Sequence, residues 1–93
     1  VSIMNMQQEM CTRLATLNPK VFEFSDDSDQ HAGHAGSSSG GHYSVVVASE
    51  LFDGLSRLNR QRLVKDALSD LFQSGQIHAL SIFAVTPDEY FSG

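Results

Sequence analysis

A chain of 93 residues, 41 % hydrophobic and 18 % charged, fits one small folded domain over 1–93 and excludes two. No stretch reaches the ~20 consecutive apolar residues of a membrane span. The single cysteine, Cys11, excludes an intrachain disulfide and a multi-cysteine metal cage, and points to a reducing compartment.

The first segment reads as a helix. Asn5 caps it with Gln8 three positions on, and Met6, Met10, Leu14 and Leu17 recur at helical spacing. Asn18-Pro19 stops it, because the residue before a proline is pushed out of the helical region. The N-terminus carries neither a basic region before a long apolar run nor an Arg-rich amphipathic stretch, so no uncleaved targeting segment is expected. Val21 to Phe24 is a short strand by its aromatic and β-branched content. Residues 25–42 follow as a flexible Gly/Ser/His loop with four glycines and five serines.

Tyr43 to Ser49 is the second strand, and Val45-Val46-Val47 is too apolar for a one-sided edge strand. After a turn at Phe52-Asp53-Gly54, Ser56 caps a second helix. Its expected buried face is Leu58, Val64, Ala67, Leu68, Leu71 and Phe72, and Gly75 closes it. Ile77 to Val85 is the third strand, apolar at both odd and even positions, so both faces are expected to be partly covered. Thr86-Pro87-Asp88-Glu89 is a complete helix start. The order α-β-β-α-β-α predicts an α+β fold. Its first two strands pair antiparallel, and a right-handed crossover brings the third in parallel. The result is a three-stranded mixed sheet with helices on one side.

The charge balance is 11 acidic against 6 basic residues, a net −5, which opposes tight nonspecific binding to a phosphate backbone. Four of the six bases, Arg57, Arg60, Arg62 and Lys65, nevertheless fall within nine positions. They form either a phosphate-contacting face or the solvated side of an amphipathic helix, the commoner arrangement. Three of the four histidines, His31, His34 and His42, fall within twelve positions, and His78 stands apart near the start of the third strand. Neutral imidazoles bind borderline metals and titrate near neutral pH. Taken singly, a loop histidine is more often solvated and a strand histidine more often a satisfied core or rim residue. Cys11 lies inside the first helix rather than at its N-terminus, where a dipole would activate it. No nucleophile elbow, phosphate loop or dinucleotide motif is present, so an enzyme is not expected.

Several stretches resemble one known family in colinear order over residues 5 to 91. Asp26-Asp27-Ser28-Asp29-Gln30-His31-Ala32-Gly33-His34 is similar to the D-E-S-x-x-H segment of BolA-like proteins. Val45 to Gly54 resembles their V-V-V-V-S-x-x-F-x-G stretch, and Arg60-Gln61-Arg62-Leu63-Val64 their R-H-R-L/M-V/I helix signature. Ile77-His78-Ala79-Leu80-Ser81-Ile82 and Thr86-Pro87-Asp88-Glu89 resemble the V/I-H-A-L-x-I and T-P-x-E ending.

The resemblance implies an α-β-β-α-β-α fold similar to class II KH domains. It also implies an adaptor that forms a heterodimer with a monothiol glutaredoxin and shares a 2Fe-2S cluster with it and with glutathione. By the same resemblance His78 is one cluster ligand and His31 the second, with His34 and His42 open as alternates, which is the pattern of a histidine-loop subgroup. Arg60 and Arg62 are then candidates for docking the glutaredoxin or its glutathione. Gln61 stands where the family usually has histidine, which puts any role of that middle position in doubt. The isolated chain is expected to be a monomer without a tightly bound cofactor, in the mitochondrial matrix or cytoplasm. Two imidazoles in place of two thiolates raise a cluster's potential and make ligation pH-sensitive.

Two other functions stay open. One is a nucleic-acid-binding transcriptional regulator, suggested by the KH-like fold and the clustered bases, although no G-x-x-G opens onto a helix. The other is a metallohydrolase built on the histidines, which would need a single metal with an open position.

Overall fold

The computed structural model describes residues 5–27 and 41–92, so His31 and His34 lie outside the described residues. Helix α1 runs Met6–Leu14 and opens with a reciprocal cap. Asn5 Oδ1 accepts the Gln8 amide at 2.9 Å, and the Asn5 amide donates to Gln8 Oε1 at 3.1 Å. Met10 and Leu14 turn fully inward. The helix tightens into a 3₁₀ turn over Ala15–Leu17, and Asn18 takes the left-handed conformation at φ 50° ahead of Pro19. Asparagine is the non-glycine residue that tolerates that region best.

Strand β1, Val21–Asp26, pairs antiparallel with β2, Gly41–Ala48, from Val21↔Ala48 to Asp26↔Tyr43. Strand β3, Ile77–Val85, pairs parallel with β2, so the sheet order is β1-β2-β3 with β2 in the centre. A central position accounts for the apolar run Val45-Val46-Val47. The expected loop over 25–42 is too long at both ends. Ser25 and Asp26 extend β1 against Ser44 and Tyr43, while β2 begins at Gly41. At its other end β2 stops at Ala48; the Ser49 amide still donates to the Val85 carbonyl at 2.9 Å, but its side chain builds a turn. The buried Ser49 hydroxyl donates to the Leu17 carbonyl at 2.6 Å and accepts the Leu51 amide at 3.1 Å, capping a 3₁₀ turn at Glu50–Phe52.

The crossover from β2 to β3 is α2, Arg57–Ala67, followed by α3, Ser69–Gln73. Ser56 caps α2 through the Asn59 amide at 3.1 Å. The expected single helix bends at Leu68, whose backbone leaves the helical region (φ −105°, ψ 13°). Gly75 closes α3 at φ +84°, a conformation costly for any residue with a Cβ. The short helix α4, Pro87–Ser92, follows β3.

Alternation along the strands assigns the two sheet faces. Tyr43, Val45 and Val47 of β2 stand beside Leu80, Ile82 and Ala84 of β3. With Phe22 and Phe24 of β1 they meet Met10, Leu14, Phe52, Val64, Leu68 and Leu71 in one core, so α1, α2 and α3 share that face. The opposite face of β3 is open at Ala79, Ser81 and Phe83, the last 63 % exposed, which corrects the expectation of cover on both sides.

Leu58 is the second correction: it is 58 % exposed rather than buried. The inward stripe Val64–Leu68–Leu71, continued back by three and four residues, falls on Gln61 and Arg60, which leaves Leu58 on the outer side. Leu68→Ala is therefore expected to cost about 2–5 kcal/mol and Leu58→Ala no more than about 0.5 kcal/mol, read as urea midpoints at constant slope. Ser49→Ala is expected to cost about 1–3 kcal/mol by leaving the buried Leu17 carbonyl without its donor.

Candidate functional site at the histidine end of the sheet

Three chain segments meet where β1 ends and β2 and β3 begin. The parallel ladder is irregular there: Gly41 pairs with Ile77 and His42 with Ala79, so His78 is the extra residue of a bulge. This irregularity brings the two imidazoles together despite the alternation of the strands. The His42 and His78 rings lie 5.2 Å apart between centroids, tilted by 41°. His42 is half-buried and His78 exposed.

Gly41 is required here for space. A Cβ at this position would run into the ring of Tyr43, which lies across it and packs on Phe24 at 5.5 Å. Burial first, and the neighbouring Asp26 carboxylate second, hold the Tyr43 phenol above its ordinary pKa, so it stays a neutral hydrogen-bonding group. The Gly41 amide donates to the Gln76 carbonyl at 3.2 Å, and the Asp27 amide donates to the His42 carbonyl at 2.7 Å. The backbone on both sides of the imidazole pair is thus held.

Chemically the pair offers two borderline nitrogen donors on a surface. Among the described residues no group of three or more His, Cys, Asp and Glu side chains gathers to hold a metal ion. Any metal held at this pair therefore draws its remaining ligands from elsewhere.

The basic helix has a different arrangement. The guanidinium of Arg60 turns inward across the outer edge of β3. Its Nε donates to the Leu55 carbonyl at 3.0 Å, and its Nη1 donates to the Ala84 carbonyl at 3.3 Å and to Glu89 at 2.8 Å. Gln61 Nε2 donates to the Ile82 carbonyl at 2.7 Å. Consecutive side chains of α2 thereby satisfy two carbonyls of an edge strand, a place where unpaired backbone invites wrong pairing. Gln61, whose role was in doubt, is an edge cap. Arg60 lines a groove of about 500 Å³ with Arg57 and Phe83, whereas Arg62 is exposed on the outside of α2.

Glu89 ties this edge to the last helix. It accepts the Thr86 amide at 2.9 Å, and its own amide donates to the Thr86 hydroxyl at 3.1 Å, completing the expected capping box. The Arg60 guanidinium, and then the Thr86 amide, hold the Glu89 carboxyl below the usual carboxylate range.

The fold and this end of the sheet define a small α+β domain in which two histidines from parallel strands share one surface site. Among the described residues no helix is long and apolar enough to cross a membrane. The family model described as BolA-like protein matches residues 14–89, and the chain belongs to that family. It is 45 % identical over 74 residues to BolA-like protein 1 of Mus musculus, covering 80 % of this chain and 52 % of that protein. It is 38 % identical over 88 residues to a BolA-like protein of Dictyostelium discoideum, covering 95 % of this chain and 74 % of that one. The BolA domain of SufE1 from Arabidopsis thaliana has the same fold, with a TM-score of 0.77 at 38 % identity over 95 % of this chain and 99 % of that domain. The chain spans about half the length of the mammalian relatives it matches.

Removal of the Arg60 guanidinium tests the edge cap. Arg60→Met is expected to destabilise at neutral pH, and Gln61→Ala to cost about 1–3 kcal/mol through the Ile82 carbonyl. A depressed carboxylate stabilises the fold above its unfolded pKa, about 4.3 for glutamate, and that stability is lost as pH falls through the folded value. The gap between the urea midpoints of the wild type and Arg60→Met is therefore expected to narrow on acidification below pH ~4.3, down to the pH-independent part from the Leu55 and Ala84 carbonyls.

Proposed function

We propose that this chain is an adaptor that binds a monothiol glutaredoxin and co-ligates a shared 2Fe-2S cluster, in iron-sulfur cluster assembly or transfer or in iron regulation. The observation that carries the reading is the contact of His42 with His78, with ring centroids 5.2 Å apart at the surface of the sheet end. His78 is the ligand that the family resemblance implies. His31 and His34 belong to the segment between Asp27 and Gly41, whose flanking residues are joined by the Asp27–His42 hydrogen bond. His31 is the second ligand on this reading, with His34 and His42 as alternates.

The donor chemistry suits the cargo. A two-histidine contribution is incomplete alone, so the partner's cysteine and a glutathione thiol complete the ligand set. Because protonated imidazole cannot bind iron, retention is expected to fall on acidification. Arg62 is exposed and available to a partner, while Arg60 contributes through the groove it lines. The exposed bases Arg57, Arg62 and Lys65 also keep a nucleic-acid-binding reading in view, but against a net −5 they favour an acidic protein surface over a polyanion.

The test is reconstitution with a monothiol glutaredoxin, iron, sulfide and glutathione, followed by visible circular dichroism. The wild-type heterodimer is expected to give a spectrum distinct from that of the glutaredoxin alone. His78→Ala is expected to abolish the difference, and His31→Ala, His34→Ala and His42→Ala to identify the second ligand. An unchanged heterodimer spectrum in the His31→Ala/His78→Ala double variant would refute the ligand assignment. Binding to duplex DNA at about 50 mM salt that weakens steeply with added salt would favour the regulator instead.

A further inference from the structure

The imidazole pair depends on how the first residues of β2 are held. Residues 27–40, fourteen in all, separate β1 from β2. The last rung of the β1–β2 ladder is Asp26↔Tyr43, and His42 lies one residue beyond it. On its other side His42 pairs with Ala79 of β3, and the Gly41 amide donates to the Gln76 carbonyl at 3.2 Å.

Asp27 adds contacts from the β1 side, two to β2 and one back to β1. Its amide donates to the His42 carbonyl at 2.7 Å. One carboxylate oxygen accepts the Ser25 hydroxyl at 2.9 Å, and the other accepts the Ser44 hydroxyl. Asp27 therefore grips β2 at both residues flanking Tyr43, by backbone at His42 and by side chain at Ser44. Hydroxyls donating to a carboxylate make bonds stronger than neutral ones. On the far side of the same β2 residues lie the bulge and His78.

We propose that Asp27 is a positioning residue for the imidazole pair: its bridge to Ser44 and the His42 carbonyl fixes the first residues of β2, and thereby the approach of the His42 ring to His78. The proposal rests on the cluster-sharing reading only for its functional consequence; the geometric part stands without it. Asp27 reaches β2 at the His42 carbonyl and the Ser44 hydroxyl. It acts through the backbone of β2, as outer-shell partners orient ligands at metal sites. Ser25, directly opposite Ser44 on the neighbouring strand, ties the same carboxylate back to β1 and keeps it from swinging out.

The experiment uses the full chain in two arms, with Asp27→Ala, Asp27→Asn and Ser44→Ala. The first arm measures the nuclear Overhauser contact between the His42 and His78 rings in the isolated protein, with the amide spectrum of β3 and the helices as a control for folding. The second measures the rate of cluster loss to a chelator from the reconstituted glutaredoxin heterodimer, with its visible circular dichroism. Asp27→Ala and Ser44→Ala are expected to weaken the inter-ring contact and to speed cluster loss by about 10-fold, with native amide spectra elsewhere. Asp27→Asn, which keeps a side-chain acceptor, is expected to restore part of both. The effects of Asp27→Ala and Ser44→Ala should not add in the double variant, because both break one bridge.

An inter-ring contact that survives in Asp27→Ala overturns the proposal. So does a lost contact with wild-type cluster retention, because the residue would then position nothing that the cluster uses. A wild-type protein that forms no shared cluster counts against the functional reading, while the inter-ring arm still decides whether Asp27 sets the ring geometry.

Discussion

The parallel pairing of β2 with β3 is the constraint from which the rest of this molecule follows. Two parallel neighbours in one sheet cannot be joined by a hairpin, so the chain must climb back across a face of the sheet. Here that return path is α2 and α3, which cover the face carrying Val45, Val47 and Ile82 with Val64, Leu68 and Leu71. Antiparallel β1 then completes the sheet on the other side of β2, and α1 packs its Met10 and Leu14 into the same core. Both candidate features, the imidazole pair and the basic helix, lie along this parallel pair. One marks the start of the pair, and the other lines its outer edge.

The outer edge shows how the crossover does more than cover a core. A short sheet with β3 at its margin exposes backbone groups that would otherwise recruit another strand. Arg60 and Gln61 sit where the inward stripe of α2 would ask for apolar residues, and their donors reach the Ala84 and Ile82 carbonyls instead. An amide does this without a charge, so the Gln61 bond to Ile82 is indifferent to pH. The guanidinium of Arg60 stays charged at any physiological pH, and it links the edge through Glu89 to the capping box of α4. Replacing these two polar residues by leucines would extend the apolar stripe and leave both carbonyls to water or to a foreign strand.

What could be read from the sequence follows the range of the interactions involved. Local signals translate directly: the Asn5–Gln8 and Thr86–Glu89 boxes, the Ser56 cap and the Gly75 stop each depend on atoms a few residues apart. The ends of β3 also agree, because its composition and flanking turn residues mark both limits. Leu58 misled because hydrophobicity alone does not phase a helix; the phase was set by Arg60 and Gln61 reaching a strand more than twenty residues away. The meeting of His42 with His78 was equally hidden. Strict alternation in a regular ladder would have separated them, and only the bulge at Gly41–His42 brings them together. Asp27 was visible as part of an acidic run, but nothing local says that a carboxylate there will span Ser25 and Ser44.

The imidazole pair gains its significance from being incomplete. A closed four-ligand site would bind a metal tightly and give it up slowly, whereas two donors on a surface bind weakly until a second molecule adds its own. On the proposed reading, retention would then depend on the partner's concentration as well as on the metal's, as an adaptor between donor and acceptor requires. The lone cysteine of this chain lies on the exposed face of α1, and on the proposed reading histidines would supply imidazole where a self-sufficient site would supply thiolate. Imidazole donors carry no charge when they bind, so a cargo shared here keeps less negative charge than one held by thiolates alone. The few hydrogen bonds that fix the first residues of β2 are therefore not incidental to the sheet. On the proposed reading they hold His78 and the alternate ligand His42 in register, and a partner supplies the remaining ligands.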